Sequence, residues 1–230
     1  MKVHIIPETL SFSQIPVLAE KSSRTVLLAR HSIRESLVGR KPEESTGLRL
    51  TPEGEKLAMD CGRILQAMAK EAFFMASPTV RTRQTAQKII EGGNFIHKEV
   101  KDCQDISDTV LFYDPAIPFR AVQENRAHLL LDEYFRTGNA PGFLSLEYAA
   151  RKLFHFLTET NFPSSQTILI THDVLIVTLL SGFKVYPFTL EDWCGYLQGA
   201  VLFKDAENGQ WSMAYAVPDL SKREKFKLFI

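Results

Sequence analysis

Short apolar runs that end abruptly in polar residues recur along this chain. Residues 25–29 are apolar and partly β-branched, and they give way to Arg30, His31, Ser32 and Arg34. Residues 73–76 stop at Ser77-Pro78, and residues 167–171 stop at His172-Asp173. Unbroken apolar runs this short predict buried strands. Helical patterns alternate with them. Thr51-Pro52-Glu53-Gly54-Glu55 reads as a helix start, with Thr51 as N-cap, Pro52 in the first helical position and two acids at the positive end. Leu57, Cys61, Ile64, Leu65 and Met68 then recur at spacings of three and four, which predicts one buried face ending near Lys70. After residues 73–76, Ser77 is expected to cap and Pro78 to open a helix running to about Ile90. After residues 167–171, an apolar helix over 174–180 closes at Gly182.

Strands alternating with helices predict βαβ units, hence an α/β fold around a mostly parallel sheet. The rhythm weakens over residues 94–143, which hold an acidic stretch at 102–114, a break at Pro115 and Pro118 and one expected helix over about 121–136. This segment is too short to bury a core of its own, so the chain, 1–230, is read as a single domain with a cap inserted at about 94–143. A helix over 145–160 carries Leu146, Ala149, Leu153, Phe154 and Leu157 on one face. Residues 201–204 and 211–214 flank Asn208-Gly209, which predicts a hairpin or an antiparallel edge pair.

Composition narrows the function classes. The 27 Lys and Arg balance the 27 Asp and Glu, which argues against nucleic acid or a membrane surface as partner. Cys61, Cys103 and Cys194 are widely spaced without a CxxC pair and read as core thiols of a reducing compartment. The first residues lack the apolar stretch of a signal peptide, Pro7 interrupting them, and the apolar runs fall short of the roughly 18 to 20 residues of a membrane span. The expected location is the cytoplasm. The tail Lys222-Arg223-Glu224-Lys225-Phe226-Lys227 is read as a solvated end.

In open parallel sheets the ligand crevice lies outside the carboxyl ends of the strands, where all three polar clusters fall. If the strands are neighbours, Arg30, His31, Arg34, Arg81, His172 and Asp173 meet in one pocket. Guanidinium groups match phosphate oxygens, and a helix start beside Ser77 would add amide donors, so the expected ligand is a phosphate ester.

Arg30-His31 with Arg34 resembles the RHGxR signature of the histidine phosphatase superfamily, which includes phosphoglycerate mutases and acid phosphatases. Leu50-Thr51-Pro52-Glu53-Gly54 is similar to its LTxxG helix start. The run from Ser77-Pro78 through Arg81 and Gln84-Thr85-Ala86 is similar to its SPxxRTxQTA segment, and Thr171-His172-Asp173 to its second-histidine motif. The resemblance covers about 24–182, and implies a three-layer α/β/α, phosphoglycerate mutase-like fold. It implies that His31 is the nucleophile and forms a phosphohistidine, its other nitrogen oriented by a backbone carbonyl. Arg30, Arg34, Arg81 and His172 would hold the phosphoryl oxygens with no metal and no cofactor. Asp173 would protonate the leaving oxygen and later accept a proton from water. Substrates would be small phosphate esters or a phosphoprotein.

Two positions depart from the pattern. Ser32 stands where the family has glycine; were φ positive there, serine would cost about 1 kcal/mol and displace His31. The mutase-like branch places its acid, a Glu, in the loop after the Gln-Thr helix, where this chain offers Asp102 and Asp105; Asp105 is the reserve acid. The alternatives are a mutase-type phosphotransferase, a metal-dependent His-Asp phosphohydrolase, and a phosphate-binding or interaction module with weakened turnover. His97, His128 and His155 lack ligand-like spacing, which disfavours the metal site. Neither GxxxxGK[ST] nor GxGxxG occurs, which disfavours kinases and dinucleotide enzymes.

Overall fold

The computed structural model describes residues 3–37, 41–69, 71–95 and 98–218. Two short strands, β1 (His4–Ile5) and β2 (Leu10–Ser11), lead into helix α1 (Gln14–Glu20) and the long strand β3 (Ser22–Arg30). Helices α2 (Pro52–Ile64) and α3 (Gln66–Ala69) precede β4 (Phe73–Ala76), α4 (Val80–Gly92) and β5 (Val100–Asp102). Two 3-10 turns, Gln104–Ile106 and Asp108–Leu111, are followed by α5 (Ala116–Gln123), α6 (Ala127–Thr137) and α7 (Leu146–Glu159). Strand β6 (Gln166–Thr171), helix α8 (Asp173–Gly182) and strands β7 (Gly199–Asp205) and β8 (Trp211–Val217) complete the fold.

The strands form one sheet in the order β1-β8-β7-β3-β6-β4-β5, with β2 also on β8. β3, β6, β4 and β5 run parallel, and β7 is antiparallel to both β3 and β8. Alternate residues of the central strands face opposite layers. Val26 and Leu28 pack with Leu153 and Leu157 of α7 and Leu175 and Leu179 of α8. Leu27 and Ala29 pack with Ala58 and Cys61 of α2, Ala86 and Ile89 of α4 and Ile15 of α1. Both faces are therefore covered, which is why these strands read as unbroken apolar runs, and the fold is the three-layer, mostly parallel α/β arrangement expected.

Four local expectations need correction. The helix over about 121–136 is two helices, because Asn125 takes a left-handed conformation with φ 56° and breaks the ladder between α5 and α6. Helix α2 stops at Ile64, and a separate turn, α3, carries on to Ala69; Lys70 lies outside the described residues. The helix after Ser77-Pro78 begins only at Val80, with Thr79 in the cap position. Finally, β7 and β8 pair as expected around Asn208-Gly209, but β8 is no edge, since β1 and β2 add to its outer side. Residues 222–227 of the tail lie outside the described residues.

Candidate active site

Register brings the polar clusters together. Arg30, the last residue of β3, pairs with Thr171, the last of β6, and Ala76 of β4 pairs with Ile170 on the other side of β6. One further hydrogen bond past each end fixes the next residue: the His31 amide donates to the Thr171 carbonyl at 3.0 Å and the Ser77 amide to the Ile170 carbonyl at 2.9 Å. His31, Ser77 and His172 thus emerge side by side at the carboxyl edge.

Hydrogen-bond partners fix both imidazole tautomers. His31 Nδ1 lies 2.8 Å from the Ser32 carbonyl oxygen, which can only accept, so the proton sits on Nδ1 and Nε2 keeps its lone pair. Burial, then the charges of Arg81 and Arg30 and the competing His172 imidazole, hold the His31 pKa well below the usual value, against the pull of the Ser32 carbonyl. Arg81 Nη2 donates to His172 Nδ1 at 3.2 Å, which leaves Nε2–H to donate to Ser77 Oγ at 3.0 Å. Ser77 is therefore spent on the histidine and not on capping a helix. Burial, reinforced by Arg81, Arg30 and Arg34, also depresses the His172 pKa well below normal. The rings meet edge to face at 5.5 Å, both neutral.

The three expected arginines share this cluster. Arg30, buried, donates Nη1 to the Cys194 carbonyl at 2.7 Å and pairs Nη2 with Asp173 Oδ2 at 3.0 Å. Arg81 Nη1 donates to the Ser45 carbonyl at 2.6 Å. Its burial lowers the guanidinium pKa to about 10, opposed first by the negative charge of Asp108 and compounded by Arg34. Arg34 Nη1 rests on the Glu35 carbonyl at 2.6 Å, and burial lowers its pKa too, with Tyr196, Arg30 and Asp173 all within electrostatic reach. Mutually repelling cations held this close call for an anionic guest.

Of the expected acids, Asp173 stands beside Arg30 in the cluster. Asp173 opens α8: Oδ1 accepts the Val174 amide at 2.9 Å, and Oδ2 accepts Trp193 Nε1 at 3.1 Å as well as Arg30. Asp102 is exposed and bound side-on to Arg83 at 2.6 and 2.5 Å. Asp105 is exposed on the first 3-10 turn, outside the cluster. The carboxyl that does enter is Asp108, which sequence reasoning missed. Ile106 and Leu111, wholly buried, anchor its turn, and the Thr171 hydroxyl at the end of β6 donates to the Ile106 carbonyl at 2.6 Å. Asp108 Oδ1 is shielded from solvent with no hydrogen-bond partner among the described residues. Burial, seconded by the charge of Asp173, raises its pKa to about 7 despite Arg81 and Arg30. Two buried apolar residues bracketing an acid is the signal that could have singled it out.

Ser32 carries no strain. The described non-glycine residues with positive φ are Asn94, Asn125, Lys184 and Leu197, so the serine occupies ordinary backbone. Its amide donates to Thr85 Oγ1 at 3.0 Å and its hydroxyl to the Gly54 carbonyl at 2.7 Å, tying the His31 loop to α4 and to the start of α2. Thr51 caps that start as expected, accepting the Gly54 amide at 3.0 Å. Gln84 accepts the Leu50 amide at 2.9 Å, a structural role.

A second residue missed from sequence is Tyr196, on the segment between α8 and β7. Its ring lies 4.3 Å from the Arg30 guanidinium carbon and 5.7 Å from the His31 ring. The next residue, Leu197, is buried with φ 62°, a conformation that costs a bulky side chain about 1–3 kcal/mol. Among the described residues no three His, Cys, Asp or Glu side chains cluster as a metal ion would require, and no helix is long and apolar enough to cross a membrane.

Histidines and arginines gather at the strand ends of a mostly parallel sheet in an α/β protein. The model of the histidine phosphatase superfamily (branch 1) matches residues 26–214, and the chain belongs to that superfamily. Among solved structures it is similar to mycobacterial hydrolase 1, at 17% identity over 86% of this chain and 100% of that one, with a TM-score of 0.57. It is similar as well to a phosphoserine phosphatase from Entamoeba histolytica in complex with 3-phosphoglyceric acid, at 20% identity, 84% and 96% coverage and a TM-score of 0.57. A phosphoglycerate mutase from Bacillus anthracis matches at 13% identity, 85% and 93% coverage and a TM-score of 0.51. At such identities the likeness is one of fold. No curated protein matches the chain in sequence.

Proposed function

We propose that the protein is a metal-independent phosphatase that hydrolyses a small phosphate monoester through a phosphohistidine on His31. The observation that carries this reading is the tautomer of His31: with Nδ1–H held by the Ser32 carbonyl, the Nε2 lone pair is left available beside Arg81 and Arg30. In the first step a bond forms from Nε2 to phosphorus, the ester P–O bond breaks, and a carboxylic acid gives its proton to the leaving oxygen. In the second, water attacks phosphorus, the P–N bond breaks, and the same carboxylate accepts the water proton. Arg30, Arg34 and Arg81 stabilise the equatorial oxygens, and His172, held through its Nε2–H by Ser77, positions Arg81 by accepting its Nη2–H, a positioning and electrostatic task that needs no further chemistry. Ser32, in ordinary backbone, gives no ground for a loss of turnover. The cap reading of residues 94–143 fits the same picture, since the turn carrying Asp108 lies within that segment. A panel of phosphate esters assayed with EDTA present tests the proposal: turnover of none of them would reject it, and turnover abolished by EDTA would return the metal-dependent alternative.

The acid has two readings. In the first, Asp173 supplies the proton from beside Arg30. The second is favoured by a specific observation: Asp173 is an acceptor for three donors, whereas Asp108 has an unpartnered, shielded oxygen and a pKa of about 7. A group with that pKa is half protonated near neutrality, as an acid that must also act as base requires. If Asp173 is the acid, Asp173→Asn slows esters of poor leaving groups about 10²–10⁴-fold and activated aryl phosphates far less. If Asp108 is, Asp108→Asn does this instead and removes the fall in kcat/KM expected above pH 7 as the wild-type carboxyl ionises. The linkage runs the same way for stability. Because the folded-state pKa is raised from 3.8, the native state binds the proton more tightly, and stability declines as pH rises from about 4 to 7. Denaturant melts of Asp108→Asn across that window are expected to lose this decline.

A further inference from the structure

The segment after α8 is built more elaborately than a connection requires. The Gln198 side chain accepts the Gly195 amide at 2.6 Å and the Tyr215 hydroxyl, its own amide donates to the Gly195 carbonyl at 3.2 Å, and its carbonyl accepts the Arg30 amide at 2.9 Å. Cys194, just ahead, presents its carbonyl to Arg30 Nη1. Leu197, buried in a left-handed conformation, is the residue this clamp forces out of its preferred backbone. Strain of this kind persists where the surroundings over-determine it, and it gathers at functional sites. What it delivers here is Tyr196: the ring lies against the Arg30 guanidinium at 4.3 Å and beside His31 at 5.7 Å.

Arg30 is thereby held on several sides. Its edges are fixed by the Cys194 carbonyl and by Asp173, and an aromatic ring lies near its charged centre. A guanidinium packed in this way can offer hydrogen bonds only in its own plane. Resting on the phosphatase reading of the pocket, we infer that Tyr196 is a positioning residue, whose ring holds the Arg30 guanidinium in the plane that meets the transferring phosphoryl group. The clamped, left-handed turn at Leu197 is the device that aims it. The proposed effect on Arg30 is carried by the ring, the part of Tyr196 that lies on its guanidinium, while the hydroxyl end is within electrostatic reach of Arg34.

The test compares Tyr196→Phe, Tyr196→Leu and Leu197→Val on an aryl phosphate, with inorganic phosphate binding measured by calorimetry in parallel. Tyr196→Phe is expected to stay within about threefold of wild type in kcat, while Tyr196→Leu loses about 10- to 100-fold in kcat with a smaller change in KM, as a misaligned charge in the transition state requires. Leu197→Val, which puts a β-branched side chain at a positive φ, is expected to follow Tyr196→Leu. Phosphate binding should weaken in the last two and not in Tyr196→Phe. Equal loss in Phe and Leu, a change confined to KM, or wild-type kcat in Tyr196→Leu would each overturn the inference. Thermal melts verify folding, and should Leu197→Val not fold, the two Tyr196 variants decide alone. If the wild type turns over no ester, the phosphatase reading fails, and the phosphate-binding arm still decides whether the ring aligns Arg30.

Discussion

Replacement of His31 by alanine is expected to lower phosphatase turnover by about 10⁴-fold or more while leaving a folded protein that still binds inorganic phosphate. The separation follows from the site. On the phosphatase reading the anion is held by Arg30, Arg34 and Arg81, whose own anchors are Asp173, the Cys194, Glu35 and Ser45 carbonyls and His172. His172 packs edge to face on the His31 ring, but the hydrogen bond of that ring goes to the Ser32 carbonyl and to none of these anchors. On the same reading the chemistry does depend on the ring, since Nε2 keeps the lone pair that attacks phosphorus. The wild type, quenched during turnover of a ³²P-labelled ester, is expected to yield a phosphoenzyme stable in alkali and labile in acid, absent from the alanine variant. Full activity in His31→Ala would end the phosphohistidine reading. Loss of phosphate binding together with activity would instead mean that the ring supports the arginine cluster.

The parts legible in the sequence are those set by local pattern. Residues 25–29 and 167–171 read as strands because burial on both faces leaves no polar alternation to obscure them, and Thr51-Pro52 read as a helix start because cap and proline act within one turn. The meeting of Arg30, His31, His172 and Asp173 was legible for the same reason, since they directly follow two of the apolar runs, with Arg34 and Arg81 four residues after Arg30 and Ser77. What escaped is set by distant partners. β1 and β2 are two residues each and exist only through β8, at the other end of the chain. Ser77 has the look of a cap, but His172 claims its hydroxyl. Asp108 and Asp105 are alike in sequence, three residues apart on neighbouring turns, and the packing of Ile106 and Leu111 decides which one is shielded. Tyr196 is aimed by a backbone conformation that no leucine advertises.

Gly54→Ala is expected to damage the site more broadly than any single arginine change, although the glycine touches no substrate. A Cβ on Gly54 would stand 2.0 Å from the Ile33 carbonyl oxygen and 2.9 Å from its carbon. That carbonyl cannot swing away freely, because it accepts the Thr51 amide at 3.0 Å, and the Gly54 carbonyl in turn accepts the Ser32 hydroxyl at 2.7 Å. The start of α2 and the loop after β3 therefore meet backbone to backbone. Relief requires them to part, costing about 1–3 kcal/mol, a lowering of Tm by several degrees. The loop that moves carries His31 and Arg34 and adjoins Arg30, and a shift of about 1 Å in such a constellation costs about 10²-fold in rate. Phosphate affinity should fall together with kcat, unlike in His31→Ala, since the anion's own donors are displaced. Gly47→Ala is the control: nothing lies within 4 Å of a Cβ there, and both stability and activity are expected to match the wild type. Wild-type kinetics in Gly54→Ala would show that the His31 loop holds its geometry without α2, and the Ser32 bridge would then be incidental to catalysis.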